Sequence, residues 1–349
     1  MKNKKIFEND LNTICSATYI DFNQFNGKTV FITGATGLIG FTLVSVLLHY
    51  GENTDNPPKV IAFVRNLEKA KKMYRDAPQK NFNFMVGDVT QRLTIEQPID
   101  YIIHAASRTS SKAFVSEPVE TIQTAINGTV NMLDLAKEKN VRSFIYLSSM
   151  EVYGSPSTDE KILENHGTNL DTMSVRTSYP ESKRMCENIS TSYYHEYGVP
   201  TKVIRLTQTF GPGVSYDDNR VFAEFMRCAI EKRDIILHTS GETKRSYLYT
   251  ADAATAIFTV LLNGKNGEAY NAANENTYCS IYEMAELVAN TCANGEIAVK
   301  FDIEDESKFG YAPTLKMNLD THKLKALGWK ANENLLDMFL ALYQTILKE

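Results

Sequence analysis

The chain has 349 residues, 43% of them hydrophobic, and a formal net charge of −5. That length and apolar content supply one large or two modest domains with a full core. The acidic balance argues against a nucleic-acid surface, and no apolar run is long enough to span a membrane. The first residues, Met1-Lys2-Asn3-Lys4-Lys5, are basic but lead into no signal-peptide core. The five cysteines are scattered, with no pair at metal-ligand spacing. Reduced thiols and a cytoplasmic location are the expectation.

Residues 1–27 read as an N-terminal extension, in which Glu8 to Ile20 suits a short helix. Lys28-Thr29-Val30-Phe31-Ile32 is an apolar run of strand length. Thr33-Gly34-Ala35-Thr36-Gly37-Leu38-Ile39-Gly40 follows it, and Phe41 to Tyr50 has apolar residues at helical spacing. Strand, glycine turn and helix in this order open a dinucleotide-binding βαβ unit. Gly34 permits the tight turn, Gly37 lets backbone approach a pyrophosphate, and Gly40 lets the helix pack on the sheet. Thr36, Leu38 and Ile39 complete the cradle at the helix N-terminus, where free N–H groups and the positive dipole end favour phosphate.

The second strand is Lys59 to Val64. An NAD site places an acidic residue at its end to hold the ribose 2′-hydroxyl. Arg65 stands there instead. A guanidinium suits a 2′-phosphate, so NADP is favoured, with NAD kept open if Arg65 stacks on adenine. Phe82 to Val89 reads as a third strand, with Asp88 placed to accept from the adenine amino group and Val89 beside it. Asp100 to Ser107 is the fourth. Its small Ala105, Ala106 and Ser107 let backbone lie against the cofactor, and His104 reads as a packed strand-end residue.

Glu117 to Lys139 predicts a long helix, and Ser143 to Gly154 a strand and its exit. After an irregular stretch, Tyr179-Pro180-Glu181-Ser182-Lys183 opens a helix running to Tyr197. Tyr179 and Lys183 are four apart and share a face. An ammonium beside a phenol favours the phenolate, which would make Tyr179 a base near neutral pH. Further on, Arg220 to Arg233 suits a helix, Ile235-Ile236-Leu237 a strand and Ser280 to Asn290 a helix.

These motifs resemble an extended short-chain dehydrogenase/reductase of the nucleotide-sugar epimerase/dehydratase type. The resemblance rests on residues 33–40, on Ser148-Ser149-Met150-Glu151-Val152-Tyr153-Gly154, and on Tyr179 with Lys183. Arg205-Leu206-Thr207-Gln208-Thr209-Phe210-Gly211-Pro212 and Leu327-Gly328-Trp329 extend it. It implies an α/β fold: a Rossmann-type doubly wound parallel sheet with a smaller C-terminal α/β substrate domain. Residues 28–210, with 246–263 returning, would form the dinucleotide domain, and 211–245 with 264–349 the substrate domain.

By the same resemblance Tyr179 is the base for a sugar hydroxyl, Lys183 lowers its pKa and binds the nicotinamide ribose, and Ser149 holds the same sugar oxygen. Tyr179 and Lys183 thus also touch the NAD(P) cofactor. Arg245 is the candidate to grip the substrate's diphosphate, with Arg220 and Gln208 nearby. Gln208 stands where many relatives carry Asn, and no second diphosphate arginine is visible near Tyr311-Ala312-Pro313-Thr314. The partner implied is a nucleotide-diphosphate sugar, and a homodimer is expected through helices Glu117–Lys139 and Tyr179–Tyr197.

Oxidation at the sugar C4 is the shared first step. Met150 replaces the Asp that dTDP-glucose-type dehydratases use as acid, and a thioether cannot donate a proton. Glu151 remains and favours chemistry at C5. Dehydration or epimerisation is the expectation, with decarboxylation of the UDP-glucuronate type, NADPH-dependent reduction, or a non-catalytic nucleotide sensor as alternatives.

Overall fold

The computed structural model describes residues 2–77, 80–303 and 314–346. Its centre is a seven-stranded parallel sheet of β1 (Thr29–Thr33), β2 (Lys59–Val64), β3 (Phe82–Val86), β4 (Tyr101–His104), β5 (Ser143–Ser149), β6 (Thr201–Leu206) and β10 (Ala269–Ala272). The spatial order is β3-β2-β1-β4-β5-β6-β10. Every residue of β1 is buried, as expected of a parallel strand covered by helices on both faces. Strand order reverses between β1 and β4, and in doubly wound sheets the ligand crevice opens at the C-terminal ends of such a pair.

Helices α2 (Leu38–Gly51), α5 (Pro118–Lys139), α6 (Ser178–Tyr197) and α8 (Thr250–Asn263) flank this sheet. In α8, residues 250–261 are all buried. The Trp329 indole N–H donates to the Asp252 carbonyl at 3.2 Å and the Thr255 hydroxyl at 3.1 Å, so the Leu327-Gly328-Trp329 segment is pinned to α8. The N-terminal helix α1 (Lys2–Cys15) begins and ends earlier than expected and packs against α2 and α8. Its chain continues into a 3-10 turn, Phe22–Phe25, whose rings join the core.

The second unit contains β7 (Gln208–Phe210), β9 (Lys244–Tyr249), β11 (Asn274–Ser280) and β13 (Lys316–Met317), with β9 central. A pair of strands, β8 (Ile235–Leu237) and β12 (Val299–Phe301), and helices α7 (Val221–Glu231) and α9 (Ile281–Leu287) accompany it. Three strands cross the expected divisions at 210, 245 and 264, one of them β9, whose residues 246–249 were expected in the dinucleotide unit. Strand β10 was expected in the substrate unit, yet it is the seventh strand of the main sheet. Buried Asn271 holds it there: its side chain accepts from the Tyr153 hydroxyl at 2.6 Å and donates to the Ile162 carbonyl at 2.9 Å. Conversely, β7 leaves the main sheet. Its last tie is the Thr207 amide to the Ala272 carbonyl at 3.1 Å, after which Gln208 pairs with Tyr247. Among the described residues no helix is long and apolar enough to cross a membrane.

Candidate active site

The crevice floor is the glycine turn. Gly34 has φ +67°, and a Cβ there would lie 2.8 Å from Ala105 backbone atoms. A Cβ at Gly40 would collide with the Gly34 carbonyl oxygen. Gly37 caps α2 without any side-chain cap bond. The amides of Leu38, Ile39 and Gly40 therefore point outward without helical partners beside half-buried Thr36, which is an anion cradle. Across the crevice the Thr33 hydroxyl accepts the amides of Ala105 and Ala106 at 3.1 and 3.0 Å. Its proton is then free for His104 Nδ1, 2.8 Å away. Burial, with the Lys183 charge adding to it, pushes His104 down to about 3, so the imidazole is neutral and accepts. His104 is thus a structural lock on the β4 exit.

Around the nucleoside end, Arg65 is exposed just past β2. The Asp88 carboxyl is held below its ordinary value by the Thr90 amide and hydroxyl, with a smaller effect from Arg65. One Asp88 oxygen is spent on Thr90 (2.9 and 2.8 Å), which leaves the other for a ligand donor. The Val89 carbonyl is tied to the Asn131 amide at 2.8 Å, and the Ser107 hydroxyl donates to the Arg108 carbonyl. These residues, the turn and the β4 exit fit a dinucleotide: they present free amides for a pyrophosphate and backbone without bulky side chains.

The chemical end lies where β5 meets α6. Three consecutive residues of β5 meet three residues of α6 spaced four apart. Lys183 Nζ donates to the Leu147 carbonyl at 2.6 Å, Ser148 donates to Glu187 at 2.5 Å, and the Ser149 hydroxyl is placed so that it favours the ionised form of the Tyr179 phenol. Glu187 is held in turn by Arg205 through Nε at 3.0 Å and a terminal nitrogen at 2.6 Å. These ties fix α6, and Tyr179 with it, against the end of β5 at the crevice edge.

The structure revises the electrostatics expected of Tyr179 and Lys183. Burial pushes the Tyr179 phenol well above its ordinary value, and Glu151 adds to the rise. The groups that favour the phenolate are Ser149 and Arg176. Lys183 is directed elsewhere: its ammonium sits 4.6 Å from the Tyr146 ring centre and 5.7 Å from that of Tyr179. Burial pushes Lys183 down to about 8, opposed by Cys186 and Glu187. Sharing a helix face set the spacing, but the nearby Leu147 carbonyl won the ammonium.

Two contacts were not legible as site features. The Phe114 ring stacks on Tyr179 at 4.3 Å with 6° between planes. Arg176 pairs with Glu151 at 3.3 Å and lies over Phe114 at 5.1 Å. Nothing in the local sequence marks Phe114. Arg176 stands three residues before Tyr179, inside a stretch that read as irregular, and that spacing was the available signal.

At the second unit, Asp218 engages Arg220 through Nε (3.0 Å) and a terminal nitrogen (2.6 Å), so a diphosphate at Arg220 would have to compete with that carboxylate. Arg245 and Gln208 carry buried polar atoms, Nε and Oε1, that find no hydrogen-bond partner among the described residues. Both lie on strands joined through Tyr247. The stretch 311–313, where a second diphosphate arginine was sought, lies outside the described residues.

A profile for the NAD dependent epimerase/dehydratase family matches residues 30–273. UDP-glucuronic acid decarboxylase 4 of Arabidopsis thaliana is 29% identical over 305 residues, covering 86% of this chain and 64% of that protein. This chain therefore spans less than two thirds of that relative's length. UDP-glucuronic acid decarboxylase 3 of the same plant is 31% identical over 261 residues, covering 74% and 73%. In structure, the dTDP-glucose 4,6-dehydratase of Bacillus anthracis str. Ames, solved in complex with NAD, superposes with a TM-score of 0.71 at 22% identity, covering 91% of this chain and 95% of that one. With the family profile spanning most of the chain and the site geometry in accord, this protein belongs to the NAD dependent epimerase/dehydratase family.

Proposed function

We propose that the protein oxidises the C4 hydroxyl of a nucleotide-diphosphate sugar with bound NAD(P)⁺ and that carbon dioxide is then lost from the resulting 4-keto uronate. The observation that carries the C4 step is the placement of Ser149, at the end of β5, where it favours the ionised form of the Tyr179 phenol beside the glycine-turn crevice. The naming of curated relatives as UDP-glucuronic acid decarboxylases supports the second step. The dinucleotide, when bound, takes hydride from C4 and later returns it.

Tyr179 accepts the C4 hydroxyl proton, and Ser149 steadies the oxygen as it becomes a carbonyl. A carboxylate on the adjacent carbon is then a β-keto acid. The C5–C6 bond breaks, its electron pair moves toward the C4 oxygen, and the Tyr179 O–H supports that enolate. A proton returns to C5, and Tyr179 gives the proton it took back to the C4 oxygen as the alcohol re-forms. Lys183 keeps a positive charge under the site, and Arg245, with its free buried Nε, is the candidate for the diphosphate. Arg65 favours NADP over NAD through its fit to a 2′-phosphate. The expected assembly is a homodimer formed through α5 and α6, where Val119, Ile122 and Met185 are exposed apolar residues.

Dehydration is the second reading, because Glu151 supplies the carboxylate that such chemistry uses. Mass spectrometry of products from UDP-glucuronate and from UDP-, GDP- and dTDP-hexoses, each with NAD⁺ and with NADP⁺, tests the proposal. Loss of carbon dioxide from UDP-glucuronate is the expected result. Loss of water from a hexose substrate, or an unchanged mass with inverted stereochemistry, would replace decarboxylation by dehydration or epimerisation.

A further inference from the structure

Arg176 sits on the 3-10 turn Val175–Thr177, directly before α6, and is 30% exposed. Its contacts are one hydrogen bond to Glu151 at 3.3 Å and the face of Phe114. Phe114 in turn stacks on Tyr179, and among the described residues Arg176 is the guanidinium whose charge reaches the Tyr179 phenol. A half-exposed, monodentate ion pair contributes little to stability, about 0–1 kcal/mol. Other arginines near the site are differently spent: Arg205 and Arg220 each put two nitrogens of the guanidinium on one carboxylate. Arg176 keeps an open fork, and a guanidinium fork matches a carboxylate bidentately.

We infer that Arg176 is a specificity-determining residue that receives an anionic substituent, a carboxylate, on the sugar carbon next to the one Tyr179 oxidises. The inference rests on the nucleotide-sugar reading above. A base in contact with the C4 oxygen faces the substituents of the neighbouring carbons, and Arg176, over the ring that stacks on Tyr179, is a cation whose charge reaches that base. Glu151 gives the arrangement its balance. A full ion pair between Arg176 and the substrate carboxylate would stabilise the ground state, whereas the carboxylate loses its charge as carbon dioxide leaves. Sharing the guanidinium with Glu151 leaves enough attraction to select an acidic sugar without holding its charge too tightly.

The test is calorimetric affinity of the full chain for UDP-glucuronate, UDP-glucose and UDP, in wild type, Arg176→Met and Arg176→Lys. Wild type should prefer UDP-glucuronate to UDP-glucose. In Arg176→Met that ratio should fall at least about tenfold, a size suited to losing one partly solvated charged contact. Arg176→Lys should recover part of it, because charge returns without the fork. A displaced Tyr179 would weaken both sugars together and leave the ratio unmoved, and an unmoved ratio overturns the inference. UDP reports on the diphosphate end alone. If wild type binds UDP and UDP-glucuronate but Arg176→Met keeps the preference, only the role of Arg176 fails. If wild type binds neither, the nucleotide-sugar reading fails and this inference with it.

Discussion

Tyr179 works against its surroundings, since burial and the Glu151 charge both disfavour its phenolate. Ser149 and Arg176 offset part of that cost, so the proposed base depends on groups from two other segments. Tyr179→Phe keeps the ring stacked on Phe114 and removes only the hydroxyl. Turnover should fall on the order of a hundredfold or more, while UDP still raises the melting temperature. Turnover within about threefold of wild type would remove Tyr179 as the base. At this scale residue type and spacing encode the glycine turn and brought forward Ser149, Tyr179 and Lys183 as candidates, which the fold gathers at the meeting of β5 and α6. The pairing of Arg220 with Asp218 was not legible, because Asp218 looks in sequence like any other loop carboxylate.

Among the elements, α6 is positioned by its stitches to β5 and α1 by a buried carboxyl. The Tyr249 hydroxyl donates to Asp10 at 2.9 Å, and burial, with Glu333 and Asp252 adding to it, pushes Asp10 up from 3.8 to about 7. A carboxyl with a raised folded value binds its proton more tightly in the folded chain. Its stabilising contribution is complete below its unfolded value and is lost as pH climbs toward 7. Asp252, raised to about 6 by burial, works in the same direction. Asp10→Asn keeps an acceptor for Tyr249 and removes the charge. Thermal melts should show the variant gaining over wild type at about pH 8, with the gain shrinking toward zero near pH 4. An equal difference at both values would show that Asp10 does not titrate in this range. The helix itself was legible only as a short segment with displaced ends, because its burial comes from distant residues on α2 and α8.

For the whole molecule, exposed Val119 and Ile122 on α5 and Met185 on α6 form the face through which a homodimer is proposed. Light scattering should give twice the chain mass for wild type and a monomer for Ile122→Glu, since a buried unpaired carboxylate is costly. A monomeric wild type, or an Ile122→Glu dimer, would place the interface elsewhere or remove it. The division between the two units belongs to this scale as well. Chain order suggested breaks at 210 and 264, yet β7 and β10 each join the sheet on the other side of the expected break. Short strands carry too little periodicity to announce a partner. Their placement is decided by contacts such as those of Asn271.

The sequence by itself determined the doubly wound sheet and the glycine turn that opens it, and it singled out Ser149, Tyr179 and Lys183 as the candidate catalytic set. These are local properties: apolar strand runs, glycines where a Cβ has no room, and a four-residue helical spacing. Only the tertiary structure decided which charges face one another. It sent the Lys183 ammonium to the Leu147 carbonyl, filled Arg220 with Asp218 and set Arg176 between Glu151 and the ring that stacks on Tyr179. Charge pairing depends on distance and burial, and residues distant in sequence acquire both only when the chain has packed.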